Sequence, residues 1–410
     1  MRKYDNLEFP DGLIKRRPHD DLRLVIVIPA YMEPTLHATV QSLYDNLYDE
    51  GAVEIIVLLN QSDKASTETT AFHTAQYKQL LELAKKSPRE DMALYPVFVK
   101  DIPYKIAGAG IARKTGMDEA YRRLALIGNN IGIIASLDAD TLVDPNYIEE
   151  LLKEASGDTK IKAYSIYFEH DLNSVSGRER DAIIQYELHL RYYVNMQRLL
   201  RLPFAYYTVG SAMAVRAYAY AEAFGMNKRQ AGEDFYFLHK FIKTGYFKEI
   251  NSTTVYPAAR ISERVPFGTG KAISKIIQSG SILKTYHYNS FLLLQDMTDN
   301  LDILYDDFDL ALDRYKDPLK EFLPAQGFKR RYDEIKSNTK DFAAFKKRFF
   351  RWFDAFKLMK YLHFMRDNYY ENITVDTAVD FLMRKLTGTL LSSLEESLLT
   401  LRKIDKNGYL

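Results

Sequence analysis

Leu24-Val25-Ile26-Val27-Ile28, closed by Pro29-Ala30, is an unbroken apolar run rich in β-branched residues. A strand that is apolar on both faces belongs inside a parallel sheet covered by helices on either side. The next stretch supplies such a helix. Thr35 stands where a cap is expected, and Leu36, Val40, Leu43 and Leu47 recur at helical spacing up to Gly51. Ile55-Ile56-Val57-Leu58-Leu59 then repeats the strand pattern, which completes a βαβ unit. The alternation continues, predicting a helix over 66–86, a strand over 95–99, a helix over 108–123 and a strand over 131–137. That last strand stops at Asp138-Ala139-Asp140, and Asp144 with Pro145 reads as cap and first-turn proline of a further helix. Beyond it come a strand over 162–168, a long helix over 180–200, an apolar stretch over 206–215 containing Gly210-Ser211, and a helix over 235–244. Gly232-Glu233-Asp234 opens that helix and Gly245 closes it. The pattern is that of an open, doubly wound α/β sheet, in which ligands bind at the carboxyl ends of the strands.

The 410 residues are 47% hydrophobic and 27% charged, which excludes a disordered or collagen-like chain. Fifty-six Lys and Arg against 55 Asp and Glu leave a formal charge of +1, so no nucleic-acid partner is expected. The absence of cysteine removes disulfides, thiolate nucleophiles and Cys-ligated zinc, and fits a reducing compartment. The first 17 residues lack the apolar core of a signal or anchor, and the longest uncharged runs, 124–137 and 202–215, are shorter than the roughly 18 residues of a spanning helix. A cytoplasmic protein is expected, with the inner face of the membrane as an alternative setting.

Beyond about Ser290 the pattern changes to long, charged, aromatic-rich helices. Residues 296–321 hold nine acidic residues against three basic ones, and residues 329–366 hold twelve basic against four acidic. The stripe Phe345, Phe349, Phe350, Trp352, Phe353, Phe356 and Tyr361, interleaved with Lys346, Lys347, Arg348, Arg351 and Lys357, has two readings. Packing is favoured, with the basic face meeting the acidic segment; peripheral membrane contact through the basic aromatic tail is the alternative. His287, between Tyr286 and Tyr288, reads as a packed, hydrogen-bonded histidine.

Two carboxylates one residue apart at a strand end, Asp138 and Asp140, suit a hard Mg²⁺ or Mn²⁺ ion that bridges a diphosphate. Seen alone, the same spacing also describes a strand-end turn. Glu233 and Asp234 sit at a helix start, where the dipole favours ionised carboxylates, and an ionised Asp there can act as a general base. Stabilisation of the first helical turn is the competing reading. The loop Val265-Pro266-Phe267-Gly268-Thr269-Gly270-Lys271 reads either as a plain turn or as a lid over a diphosphate, and lacks the spacing of a P-loop.

Taken in order, Ile28-Pro29-Ala30-Tyr31-Met32-Glu33-Pro34, Glu54-Ile55-Ile56-Val57, Ala107-Gly108-Ala109-Gly110-Ile111-Ala112-Arg113, Leu137-Asp138-Ala139-Asp140, Val209-Gly210-Ser211-Ala212 and Gly232-Glu233-Asp234 resemble glycosyltransferase family 2 of the GT-A fold. The resemblance covers about residues 23–271. It implies an N-terminal extension over 1–22, a catalytic domain over 23–289 and a helical C-terminal subdomain over 290–410. By the same resemblance, the donor is a nucleotide sugar, UDP-linked in preference to GDP-linked, and the acceptor carries a hydroxyl. Asp234 is the expected catalytic base, with Glu233 orienting the acceptor or the loop. Asp140 and Asp138 are the expected metal ligands, Asp138 lying nearer the ribose. Ala30, Glu33, Asn60, Arg113, Gly210, Ser211, Arg260, Arg264 and Lys271 complete the expected donor site, with Lys114 an alternative to Arg113.

The chain departs from the family pattern in three places. Leu59-Asn60-Gln61-Ser62 replaces the usual Asp-Asp-Gly-Ser, leaving Asn60 or Asp63 to read the base. The stretch Ala259-Arg260-Ile261-Ser262-Glu263-Arg264 offers arginines where some members place a metal-binding His. No Gln-x-x-Arg-Trp motif follows, which argues against a processive synthase. A nucleotidyltransferase is disfavoured because Pro29 to Pro34 has no phosphate-binding glycines or lysines. A non-catalytic sugar- or nucleotide-binding scaffold is the remaining alternative.

Overall fold

The computed structural model describes residue 9 and residues 11–227, 232–260 and 269–407. It divides into two units. The first comprises residues up to 176, residues 208–274 and residues from 404 on; the second comprises residues 177–207 and 275–403.

The first unit is built on an eight-stranded sheet. Its strands are β1 (Leu22–Ala30), β2 (Ala52–Ser62), β3 (Met92–Ile102), β4 (Ile133–Ser136), β5 (Leu142–Val143), β6 (Ala163–Phe168), β7 (Met213–Arg216) and β8 (Phe247–Tyr256). They lie in the order β3-β2-β1-β4-β7-β6-β8-β5. β1 pairs in parallel with β2 and β4, β2 with β3, and β6 with β8. β7 runs antiparallel to both β4 and β6, and β5 antiparallel to β8. All ten residues of Leu24–Ile28 and Ile55–Leu59 are fully buried, as two-sided coverage requires. Each such aliphatic side chain contributes about 1.5–3 kcal/mol of burial. The open mixed sheet with flanking helices is the α/β arrangement that the alternating pattern implied.

The reversal of β7 decides where the site forms. Because β7 runs against β4, Gly210 and Ser211, just before its start, lie at the same sheet edge as Asp138, just beyond the end of β4. A parallel β7 would have carried them to the opposite edge.

Several local expectations change. The hydroxyl of Thr35 does not cap the helix Leu36–Tyr44; it donates to Glu33 Oε1 at 2.6 Å instead. The helix after β5 begins at Tyr147, with Asn146 at its cap position, and Asp144 accepts from the Tyr256 hydroxyl at 2.9 Å. β8 was not evident from the sequence, because its run Phe247–Tyr256 mixes charged and polar residues with apolar ones.

The second unit is helical. Its long helix Gly177–Leu199 carries a buried ion-pair group in which Glu187 accepts from Arg191 at 2.8 Å and from both Nε and Nη2 of Arg402, at 2.8 and 2.7 Å. Past Ser290 the described helices are short rather than long, none exceeding 14 residues. Phe345, Phe349, Phe350, Phe353 and Tyr361 are buried, and Phe328 stacks on Trp352 at 5.1 Å, so the aromatic stripe packs the interior of this unit. Lys329 pairs with Asp333 in its own helix and is also held charged by Asp309 of the acidic segment. His287 Nδ1 accepts from the Asn289 N–H at 3.0 Å and its ring packs on Tyr288 and Tyr370. Among the described residues no helix is long and apolar enough to cross a membrane.

Candidate active site

Every described residue expected in the site belongs to the first unit. The helix Ala109–Leu126 follows β3 and presents Arg113 in its first turns; Asp138 follows β4; Glu233 and Asp234 open the helix Glu233–Ile242. Gly232, at the cap of that helix, has φ 69°, a left-handed turn that glycine adopts without steric cost.

Arg113 joins the two acidic motifs. Its guanidinium is buried, with Nε donating to Ser136 Oγ at 3.0 Å, Nη2 to Asp138 Oδ1 at 2.6 Å and Nη1 to Glu233 Oε1. Burial opposes its charge, but Asp138, Glu233 and Asp234 outweigh that and raise its basicity. The backbone at Gly210 lies against the same group, since a Cβ there would stand 3.0 Å from Cζ, Nη1 and Nη2 of Arg113. The guanidinium therefore sits against the acidic motif with each nitrogen committed to a protein acceptor. Ser136 was not singled out in the sequence, because a strand-end serine carries no motif of its own.

A second group surrounds Asp140. Arg260 Nη2 donates to Asp140 Oδ2 at 3.1 Å and also to Glu33 Oε2. Glu33 is only 3% exposed, and its other oxygen accepts from the Thr35 N–H at 2.9 Å and from the Thr35 hydroxyl. Glu33 thus anchors Arg260 and the start of a helix from inside the protein. The backbone between the aspartates is fixed by the Thr39 hydroxyl, which donates to the Ala139 carbonyl at 2.8 Å.

Among the described residues acid outweighs base across these two groups, where Glu33, Asp138, Asp140, Glu233 and Asp234 meet Arg113 and Arg260. Burial, with the Asp138 and Glu33 charges, raises the Asp140 carboxyl against the pull of Arg260. Burial likewise pushes Asp234 up to about 6; Arg113 opposes the shift, while Glu233 and Asp138 add to it. Asp234 accepts from the adjoining Phe235 N–H through Oδ1 at 2.7 Å.

The remaining expected residues are dispersed. Ala30 is buried at the end of β1. Asn60 Nδ2 donates to the Gly108 carbonyl at 3.2 Å, which ties β2 to the glycine-rich turn, and Asp63 accepts from the Tyr104 N–H. Ser211 is buried beside Gly210. Lys114 is buried and donates to Asp118 at 2.6 Å. Lys271 is exposed in the first turn of the helix Thr269–Ser279. Arg264 and Val265 to Gly268 lie outside the described residues.

Residues 25–222 match the model of Glycosyl transferase family 2. Most of the acidic and glycine motifs fall inside the matched stretch; Glu233 and Asp234 follow it by about ten residues. Solved structures of TarS from S. aureus are similar to the whole chain at low identity. Residues 1–349 of that protein align with a TM-score of 0.40 at 12% identity, covering 95% of this chain and 89% of that one. The same segment in complex with UDP-GlcNAc gives 0.38 at 12%, covering 94% and 92%. With UDP the values are 0.36 and 11%, covering 95% and 89%. No curated protein matches the chain.

The acidic edge of the first unit raises the question of a metal. The donor set fits a hard divalent ion, because the available ligands are carboxylate oxygens in a region where acid outweighs base. Among the described residues no three His, Asp or Glu side chains form a closed cage. Asp138 and Asp140 are the residues that would hold such an ion.

Proposed function

We propose that this enzyme transfers a sugar from a nucleoside diphosphate donor, UDP-linked in preference to GDP-linked, to a hydroxyl acceptor with inversion at the anomeric carbon. The observation that carries the reading is the bridge from Asp138 through Arg113 to Glu233. It places the strand-end acid and the neighbour of Asp234 on one guanidinium.

In this reading Asp234 accepts the acceptor's proton as the hydroxyl oxygen attacks. A carboxyl lifted to about 6 is still ionised at neutral pH and is a stronger base than an exposed aspartate. Glu233 keeps Asp234 in place by anchoring the first helical turn to Arg113. Arg260 can turn its charge to the departing diphosphate; its Nε is buried and has no acceptor among the described residues. Mg²⁺ or Mn²⁺ on Asp140 and Asp138, when bound, neutralises charge on the diphosphate.

Calorimetric titration of UDP, GDP and their common sugar conjugates, with and without Mn²⁺, tests the reading on the wild type and Asp140→Ala. Metal-dependent binding of one nucleotide class, weakened by the substitution, is expected. Absence of binding to all of them brings the non-catalytic scaffold forward.

A further inference from the structure

Met32 lies two residues beyond the end of β1 and has φ 50°, a left-handed conformation that few side chains adopt. Its N–H donates to Nε2 of His73 at 3.1 Å. His73 belongs to the helix Thr67–Ala84 and is fully buried, with the rings of Tyr31 and Phe98 edge-on at 5.3 and 5.8 Å.

The direction of this contact is set by a chain of hydrogen bonds. The Thr70 hydroxyl gives its proton to the Ser66 carbonyl at 3.0 Å, so toward Gln61 it acts as acceptor, and Gln61 Nε2 donates to it at 3.0 Å. Gln61 therefore turns its oxygen toward His73, whose Nδ1 lies 3.4 Å away. The ring proton sits on Nδ1, and Nε2 keeps the lone pair that receives the Met32 N–H. Burial lowers the basicity of the ring, in keeping with a neutral imidazole. One helical turn on, Gln76 Nε2 donates to the Glu33 carbonyl.

The held loop stands at the carboxyl end of β1, where doubly wound sheets bind ligands. Its Glu33 shares Arg260 with Asp140. We propose that His73, oriented by Gln61, is a positioning residue of the donor site, fixing residues 31–33 in the form that receives the nucleotide. The proposal rests on the transferase reading of the same site. It also gives Gln61 a duty of its own: with both ends of its amide committed to Thr70 and His73, it orients the ring.

The test is calorimetric titration of UDP and GDP with Mn²⁺ into the full chain. His73→Leu keeps apolar volume and removes the acceptor; its Kd is expected to rise about tenfold, a hydrogen bond's worth. His73→Gln puts an acceptor near the position of Nε2 and is expected to bind within about threefold of wild type. Gln61→Met, which removes the orienting oxygen without touching the ring, is expected to weaken binding in the same direction if His73→Leu fails to fold. Wild-type affinity in His73→Leu, or in Gln61→Met where His73→Leu does not fold, overturns the proposal. Equal weakening in His73→Leu and His73→Gln also overturns it, because packing and not the acceptor would then matter. A wild type that binds neither nucleotide overturns the transferase reading and this proposal together, whereas a binding wild type with unaffected variants removes this proposal alone.

Discussion

Arg113 Nη2 lies 2.6 Å from Asp138 Oδ1, inside a protein whose sequence separates the two residues by a helix and a strand. The same guanidinium holds Glu233, so one side chain fixes the spacing of both acidic motifs. A lysine supplies a point charge without the planar fork. Arg113→Lys is expected to fold but lose most of its transfer activity. Arg113→Ala leaves Glu233 buried without its partner and is expected to lose about 3–5 kcal/mol of stability. Urea unfolding monitored alongside activity checks both; a fully active Arg113→Lys enzyme removes the bridge from the mechanism.

Asp234 gives a prediction with two opposite signs. Its carboxyl titrates near 3.8 when unperturbed and near 6 in the fold. Between about pH 4 and 6 the folded protein keeps a proton that the unfolded chain has released, so stability from this group is present at acid pH and lost as pH rises through about 6. Asp234→Asn is therefore expected to be more stable at pH 7, by on the order of 1–3 kcal/mol. The same substitution should lower transfer about a hundredfold or more. In the wild type kcat/KM should rise with pH through about 6, and a flat profile there would remove Asp234 as the base.

Gly210 is required by space. A Cβ at this position meets the Arg113 guanidinium, which cannot retreat while Ser136, Asp138 and Glu233 hold it. Gly210→Ala is expected to cost about 1–3 kcal/mol through overpacking. Activity should fall further than the stability loss explains, because the displaced guanidinium carries both acids with it. Thermal melting and donor turnover on the same preparation separate the two effects.

Among the described residues Asp140 pairs with Arg260, and burial together with the Asp138 and Glu33 charges raises its carboxyl. Asp140→Asn removes the charge of a proposed ligand and is expected to weaken Mn²⁺-dependent donor binding by about tenfold or more, leaving metal-independent binding nearly unchanged. Equal metal dependence in the two proteins would move the ion elsewhere.

The sheet was legible because its first two strands are apolar on both faces, and a run such as Leu24–Ile28 has few other places to go. The acids were legible because they end strands or begin helices. What tertiary partners decide was not legible. Thr35 reads as a cap until Glu33 takes its hydroxyl, and Asp144 reads as a cap until Tyr256 reaches it from a strand more than a hundred residues away. His73 gave no signal at all, because a single histidine in a largely polar helix looks the same whether it faces water or Met32.

The pairs Arg113–Glu233 and Glu33–Arg260 span 120 and 227 residues of chain. Contacts of such separation close large loops and form after local pairings such as β1 with β2 have been made. A refolding chain can thus hold its first three strands and still have no charged centre. Recovery of nucleotide binding should lag recovery of secondary structure, making ligand capture a clock for the last step of folding.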